Sequence, residues 1–270
     1  MNDRIRFVAI PLLGVASSIA STSTYAQVAS QRWTTSGTEL KATSDSLPVA
    51  ETRPVPRSEI ESGLALSGRG TPFIIAPRID AIPGGLATEA VTLEAWVSID
   101  MPTQWGGVVG AIQDNGEAET GMILGYGYEK PYFGISSTGL DDEDGRITYL
   151  ESSKPYTIGK WHHLVGTYDG TTMNLYMDGE KVAESLDQSG PIRFRGDEPL
   201  VIGGYLDRNE DHGLDGRLFE VSVLPKAISA EEVRRRFTRH AELAALPPEI
   251  DTTLAWMVEP FLVWPTTDAM

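Results

Sequence analysis

Residues 161–182 read WHHLVGTYDGTTMNLYMDGEKV, three β-prone runs joined by Asp169-Gly170 and Asp178-Gly179. An Asp-Gly pair between such runs is a strong hairpin signal. A type I′ turn needs φ > 0 at both central positions, which Gly adopts freely and Asp tolerates. The segment is therefore an antiparallel three-strand meander. Its middle run sets Met173, Leu175 and Met177 on one face and Asn174 and Tyr176 on the other, the period of a strand with one face in a core.

Two further strings frame the meander, VTLEAWV at 91–97 and GRLFEVSVLPKAISAEEV at 216–233. In that order the three strings resemble a laminin-G-like domain of the concanavalin A-like jelly-roll superfamily, from about residue 60 to residue 237. The resemblance implies an all-β fold, a two-sheet antiparallel jelly-roll sandwich closed by one C-terminal helix. It does not imply a function, because one sandwich hosts lectins, adhesion modules and glycosidases. Strand-like runs recur as the fold requires, at Leu64–Leu66, Phe73–Ile75, Val91–Ile99, Val108–Ile112, Met122–Tyr128, Tyr132–Ile135, Ile147–Leu150, Leu200–Ile202 and Leu218–Leu224. Ser229 and Glu232 form a capping box for a helix over 229–246, in which Val233, Phe237, His240 and Ala244 share a face before Pro247-Pro248 stops it.

The first 26 residues read as a signal peptide: Arg4 and Arg6, an apolar stretch from Phe7 to Ala20, and Thr24-Tyr25-Ala26 before a cut. That stretch is too short to span a bilayer, and no other run approaches the necessary ~20 residues. Residues 27–57, rich in Ser, Thr, Ala and Pro, read as a flexible linker, and 58–246 as the jelly-roll domain. Cys is absent, and so is any Asn-x-Ser/Thr site, a combination that fits a bacterial secreted, periplasmic or cell-envelope protein with a core large enough to need no disulfides. Loss of the leader removes two Arg and one Asp, leaving 20 basic against 37 acidic residues, a net charge of −17. Such a surface repels nucleic acid and anionic membranes, which excludes both as partners.

Catalytic patterns are not met. Glucanases of the superfamily carry Glu-x-Asp-x-x-Glu on one strand, and the one near match, at Glu249 and Asp251, puts Leu254 in the acid/base place. His162 and His163 are adjacent on a strand and so face opposite ways, unable to share a metal or a proton relay. No catalytic residue is assigned. Sugar binding needs exposed aromatic platforms with polar neighbours, and Trp105, Tyr126, Tyr128, Tyr132 and Tyr205 are the candidates, whereas Trp96, Trp161 and Tyr168 fall in the fold's own strings and are read as core.

The loop Tyr205–Gly213 sets Asp207, Asn209 and Asp211 close together, oxygen donors suited to calcium; no other cofactor is called for. The structural calcium of some relatives would need Asp where this chain has Ser67 and Phe219. Residues 247–270 read as a linker and the truncated start of a following domain. PFLVWPTTDAM at its end is similar to the opening of the fibronectin-III-like domain of purple-acid-phosphatase-like metallophosphoesterases. Two functions follow as expectations. One is an exported, non-catalytic recognition or adhesion module for a glycan or an extracellular protein. The other is the N-terminal accessory part of a secreted metallophosphoesterase, with a downstream hydrolase domain in the same polypeptide.

Overall fold

The structure, a computed structural model, describes residues 30–36, 39–43, 64–66, 72–115, 119–139 and 146–248. Its strands run in chain order β1 (Gln31–Ser36), β2 (Glu39–Ala42), β3 (Leu64–Leu66), β4 (Phe73–Ala76), β5 (Val91–Met101), β6 (Gly106–Gln113), β7 (Thr120–Tyr126) and β8 (Pro131–Ile135). They continue as β9 (Thr148–Glu151), β10 (Trp161–Tyr168), β11 (Met173–Met177), β12 (Glu180–Ser185), β13 (Leu200–Ile202), β14 (Gly204–Leu206), β15 (Asp211–Gly213) and β16 (Asp215–Leu224). Helices α1 (Ala230–Arg239) and α2 (Ala241–Ala245) follow.

Two antiparallel sheets form the sandwich. The larger has the order β12-β11-β10-β5-β16-β1-β2, with β3 also on β16, and the smaller β4-β13-β6-β7-β8-β9. Their inner faces interdigitate in one core that includes Leu93, Val97, Leu164, Leu175 and Leu218 from the larger sheet and Val109, Met122, Leu124, Phe133 and Leu200 from the smaller. Gly166 on β10 makes room for the Phe133 ring of the facing sheet, since a Cβ there would stand 2.3 Å from it.

The meander is present as β10-β11-β12. Asp178 has φ 54° and Gly179 φ 81°, the two left-handed residues of a type I′ turn, and no other non-glycine among the described residues has positive φ. The Asp169-Gly170 hairpin instead closes over four residues. Asp169 accepts at one carboxylate oxygen from the N–H groups of Thr171 (3.0 Å) and Thr172 (2.8 Å), so its side chain completes the turn. Met173, Leu175 and Met177 face the core, as the alternation requires.

The opposite face of the meander is covered as well. Tyr176 and Val165 pack with Leu224, Ile228 and Val233, while Trp96 and Trp161 pack with Leu243, Phe219, Phe237 and Ala244. The helix therefore closes the larger sheet, but it breaks at His240, whose ring lies edge-on to Phe219 at 5.0 Å. Ser229 caps α1 by accepting from the Glu232 N–H, whereas the Glu232 carboxylate turns to Arg236 Nε (2.8 Å) instead of back to the cap. Beneath α1 a buried charge chain runs from Arg236 to Glu94 (2.6 Å) and from Glu94 to His163 (3.0 Å). Burial alone would raise the Glu94 carboxyl, but His163 and Arg236 outweigh it and hold the group below its ordinary value.

Part of the linker expected over 27–57 is a correction. Residues 31–36 and 39–42 are strands: β1 pairs with β16 and β2 pairs with β1. Trp33 is fully buried and Leu40 nearly so, which explains why this Ser/Thr-rich segment is held. The leader and residues 249–270 lie outside the described residues.

Candidate functional site

With α1 and α2 on the larger sheet, the outer face of the smaller sheet is what the described residues leave for a ligand. Two rows of paired residues cross it. One runs Gly110, Ile123, Gly134, Tyr149, and the other Gly107, Gly125, Tyr132, Glu151. Each aromatic faces a glycine, and that lets the rings lie down on the sheet. A Cβ on Gly125 would be 2.5 Å from the Tyr132 ring, and one on Gly134 would be 3.2 Å from Tyr149. Tyr132 is fixed further by donating its hydroxyl to the Gly106 carbonyl at 3.0 Å. Burial pushes the Tyr132 and Tyr149 hydroxyls well above their ordinary value, so both stay neutral donors at physiological pH.

Trp105, in the turn before β6, stands over this floor. It is 42% exposed, tilted against Tyr149 at 5.5 Å and edge-on to Tyr132 at 6.4 Å. Together with Asp114, Glu119, Arg146, Ile147 and Tyr149 it lines a depression of about 280 Å³. Glu119 also accepts from the Ile147 N–H at 3.0 Å and lies 3.8 Å from Arg146, so the polar rim is tied to the floor. Chemically this is an aromatic plate beside carboxylates, a guanidinium and phenols, suited to holding a flat hydroxylated ring.

A family model described as the concanavalin A-like lectin/glucanases superfamily, of laminin-G type, matches residues 77–234. The chain belongs to that superfamily. Mouse (Mus musculus) pappalysin-1 is 30% identical over 139 residues, 48% of this chain but only 8% of its own length. Among solved structures, domain 4 of AbnA, an extracellular arabinanase from Geobacillus stearothermophilus in complex with arabinotriose, superposes with a TM-score of 0.51 at 13% identity, covering 76% of this chain and 96% of that one. The CBM40 of Ruminococcus gnavus IT-sialidase bound to α2,3 sialyllactose gives 0.52 at 14%, covering 66% and 96%. At such identities the likeness is one of fold, a lectin-like jelly roll.

Of the expected aromatics in this laminin-G-type domain, two have usable exposure. Tyr128 is 54% exposed, in the β7–β8 turn two residues past Tyr126, which pairs with Gly106 next to Trp105. Tyr126 itself is a correction: β7 ends there, and its ring points into the core beneath Gly106, whose added Cβ would be 2.2 Å from it. Tyr132 (4% exposed) and Tyr205 (1%) are floor rather than platform. Missed by sequence reasoning were Tyr149, Arg146, Glu119 and Asp114. The pairing of glycine against aromatic along β7, β8 and β9 was the signal that could have pointed to Tyr149.

The expected calcium ligands are not brought together as a set. Asp207 is buried, its Oδ1 accepting from the N–H groups of Asn209 (2.8 Å) and Glu210 (2.6 Å). Asn209 thus enters through its backbone, and Asp211 lies exposed on β15. The two histidines do face opposite ways: His162 Nε2 accepts from the Thr157 N–H (3.0 Å), leaving Nδ1 to donate to Asp178 (2.8 Å), and His163 meets Glu94. Phe219 packs under α2, where relatives would need a calcium ligand. The near-glucanase string at Glu249–Leu254 and the string at 260–270 that resembles a phosphoesterase lie outside the described residues and outside the family match. No described helix is long and apolar enough to cross a membrane.

Proposed function

We propose that this chain is an exported recognition module that binds a glycan on the outer face of its smaller sheet, with Trp105 as the stacking plate. The observation that carries the reading is the half-exposed Trp105 ring above a tyrosine-floored depression rimmed by Asp114, Glu119 and Arg146. Sugars present an apolar ring face to such a plate and hydroxyls to such a rim. The arabinotriose and sialyllactose named for the two solved neighbours support a saccharide as the ligand class. The leader supports export, and sequencing the secreted form should find Gln27 at its N-terminus; recovery of intact Met1 would refute that part.

A glycan array holding neutral and sialylated oligosaccharides, probed with the chain from Gln27 onward, tests the binding. Trp105→Ala should weaken the best hit by about tenfold or more, equivalent to ~1.4 kcal/mol, while leaving the melting temperature within a degree or two. Unchanged glycan binding by Trp105→Ala would remove this face as the site.

A further inference from the structure

The depression around Trp105 has a charge as well as a shape. Its lining sets two carboxylates, Asp114 and Glu119, against one cation, Arg146. Arg146 is not an open positive pole. Its Nε lies 3.8 Å from Glu119 Oε1, while Glu119 Oε2 accepts from the Ile147 N–H at 3.0 Å, so the guanidinium stands beside a carboxylate that is itself fixed in place. Behind Asp114 the wall grows more negative, because Asp207 and Glu210 each bring a carboxylate oxygen within 4.8 Å of it and of one another. With one proton shared among these three acids, two negative charges still remain. Cations close by in the chain or the sheet are engaged with other acids: Arg208 reaches Asp197 at 2.8 Å, and Lys130 reaches Glu151 at 2.8 Å.

That negative field reaches the floor on which a ligand would lie. The Tyr149 hydroxyl is pushed up first by burial and then by Asp114, Glu119, Glu210 and Asp207, and each of these charges has the same sign. Stacking on Trp105 is governed by the flat face of a sugar ring and is indifferent to an acidic substituent at its edge. The plate therefore fixes where a ring lies, and the rim decides which ring.

We infer that the depression takes saccharides without an acidic group and turns away those bearing a carboxylate or a sulfate, with Asp114 and Glu119 as the residues that set the choice. The inference rests on the glycan reading above. A neutral ring presents hydroxyl hydrogens, for which both side chains are acceptors. A sialic acid, a uronic acid or a sulfated ring brings another acceptor-only anion against them, with no proton for either to share. Selectivity then comes from repulsion of the wrong ligand and not from extra contacts to the right one. Like charges brought close in a partly enclosed site weaken binding by about tenfold or more.

The test is an array of matched pairs, each neutral oligosaccharide beside its sialylated, uronate-bearing or sulfated counterpart, probed with the chain from Gln27 onward and followed by calorimetry on the best pair. The neutral member should bind about tenfold tighter or more at an ionic strength of about 0.01 M, and the gap should narrow at about 1 M, because salt screens repulsion and leaves stacking in place. Asp114→Asn/Glu119→Gln keeps the shape and an acceptor oxygen on each side chain, and it should bring the acidic member to within a few-fold of the neutral one. The salt series needs no variant, so it decides the matter even if the double variant melts low. A gap unmoved by salt would overturn the inference, since exclusion by shape alone behaves that way. Acidic members bound as tightly as neutral ones, and lost in Trp105→Ala, would overturn it while leaving this face as the glycan site. Binding that ignores Trp105→Ala, or no binding of any saccharide, would overturn the glycan reading and this inference with it.

Discussion

Gly179 tests the hairpin and the helix packing together. At φ 81° an Ala pays the left-handed penalty of about 1–2 kcal/mol. In addition its Cβ would stand 3.2 Å from Phe237 Cδ1 and 3.3 Å from Cβ and Cγ. The Phe237 ring has little freedom to retreat, being stacked on Trp96 at 5.7 Å and on His163 at 6.2 Å. Crowding of a packed side chain adds about 1–3 kcal/mol. Gly85 is the matched control, with φ 72° and nothing within 4 Å of an added Cβ. Both substitutions equally reduce the freedom of the unfolded chain, so that effect cancels in the comparison. At roughly 2–4 °C per kcal/mol for a domain of this size, Gly85→Ala should lower the melting temperature by about 2–8 °C and Gly179→Ala by about 4–20 °C. Phe237→Leu should cost less in the Gly179→Ala background than in the parent, the signature of a shared contact. If Gly179→Ala melts no lower than Gly85→Ala, α1 does not rest on the β11–β12 turn and the reasoning fails.

Two further outcomes are expected. The folded Glu94 carboxyl lies below its unfolded value of about 4.5, so the stability it contributes is present above that pH and is lost as pH falls through the folded value. Melts from pH 7 to pH 3 should therefore show a shallower acid limb for Glu94→Gln, with a lower melting temperature at pH 7; parallel limbs would refute a role for the Arg236–Glu94–His163 chain. Trp33→Ala should cost about 3–5 kcal/mol, and a chain begun at Ser58 should melt well below one begun at Gln27, because Trp33 is wholly buried in the larger sheet. Equal melts of the two lengths would return residues 31–42 to the status of a spacer.

The elements legible in the sequence were those whose signals are local. Asp178-Gly179 carries its turn type in two residues, and Ser229 caps α1 from three residues away. The strands β1 and β2 were hidden because Thr34, Thr35, Ser36 and Thr38 match linker composition, and Trp33 and Leu40 reveal their purpose only against β16, far along the chain. The site failed in the same way. A strand over Met122–Tyr128 would carry Tyr126 and Tyr128 on one face, whereas the strand stops at the first of them, and the rule of alternation cannot cross that boundary. Asp114 comes near Asp207 because β6 meets β13 and β14 far along the chain, contacts no local pattern encodes.

The placing of β16 has a consequence for how the chain acquires its shape. Among the described residues it is the final strand, yet β1, β3 and β5 all pair with it, and Gln31 meets Val223 across about 190 residues. At roughly 5–20 residues per second, a ribosome takes on the order of 10–40 s to deliver that partner after β1 has been made. Through that interval β1 has only β2 beside it and β3 has no partner strand among the described residues, so the larger sheet is completed only after synthesis is nearly finished, with high contact order and slow closure. Until that strand arrives the larger sheet stays divided, with β1 and β2 on one side of its place and β5 with β10, β11 and β12 on the other.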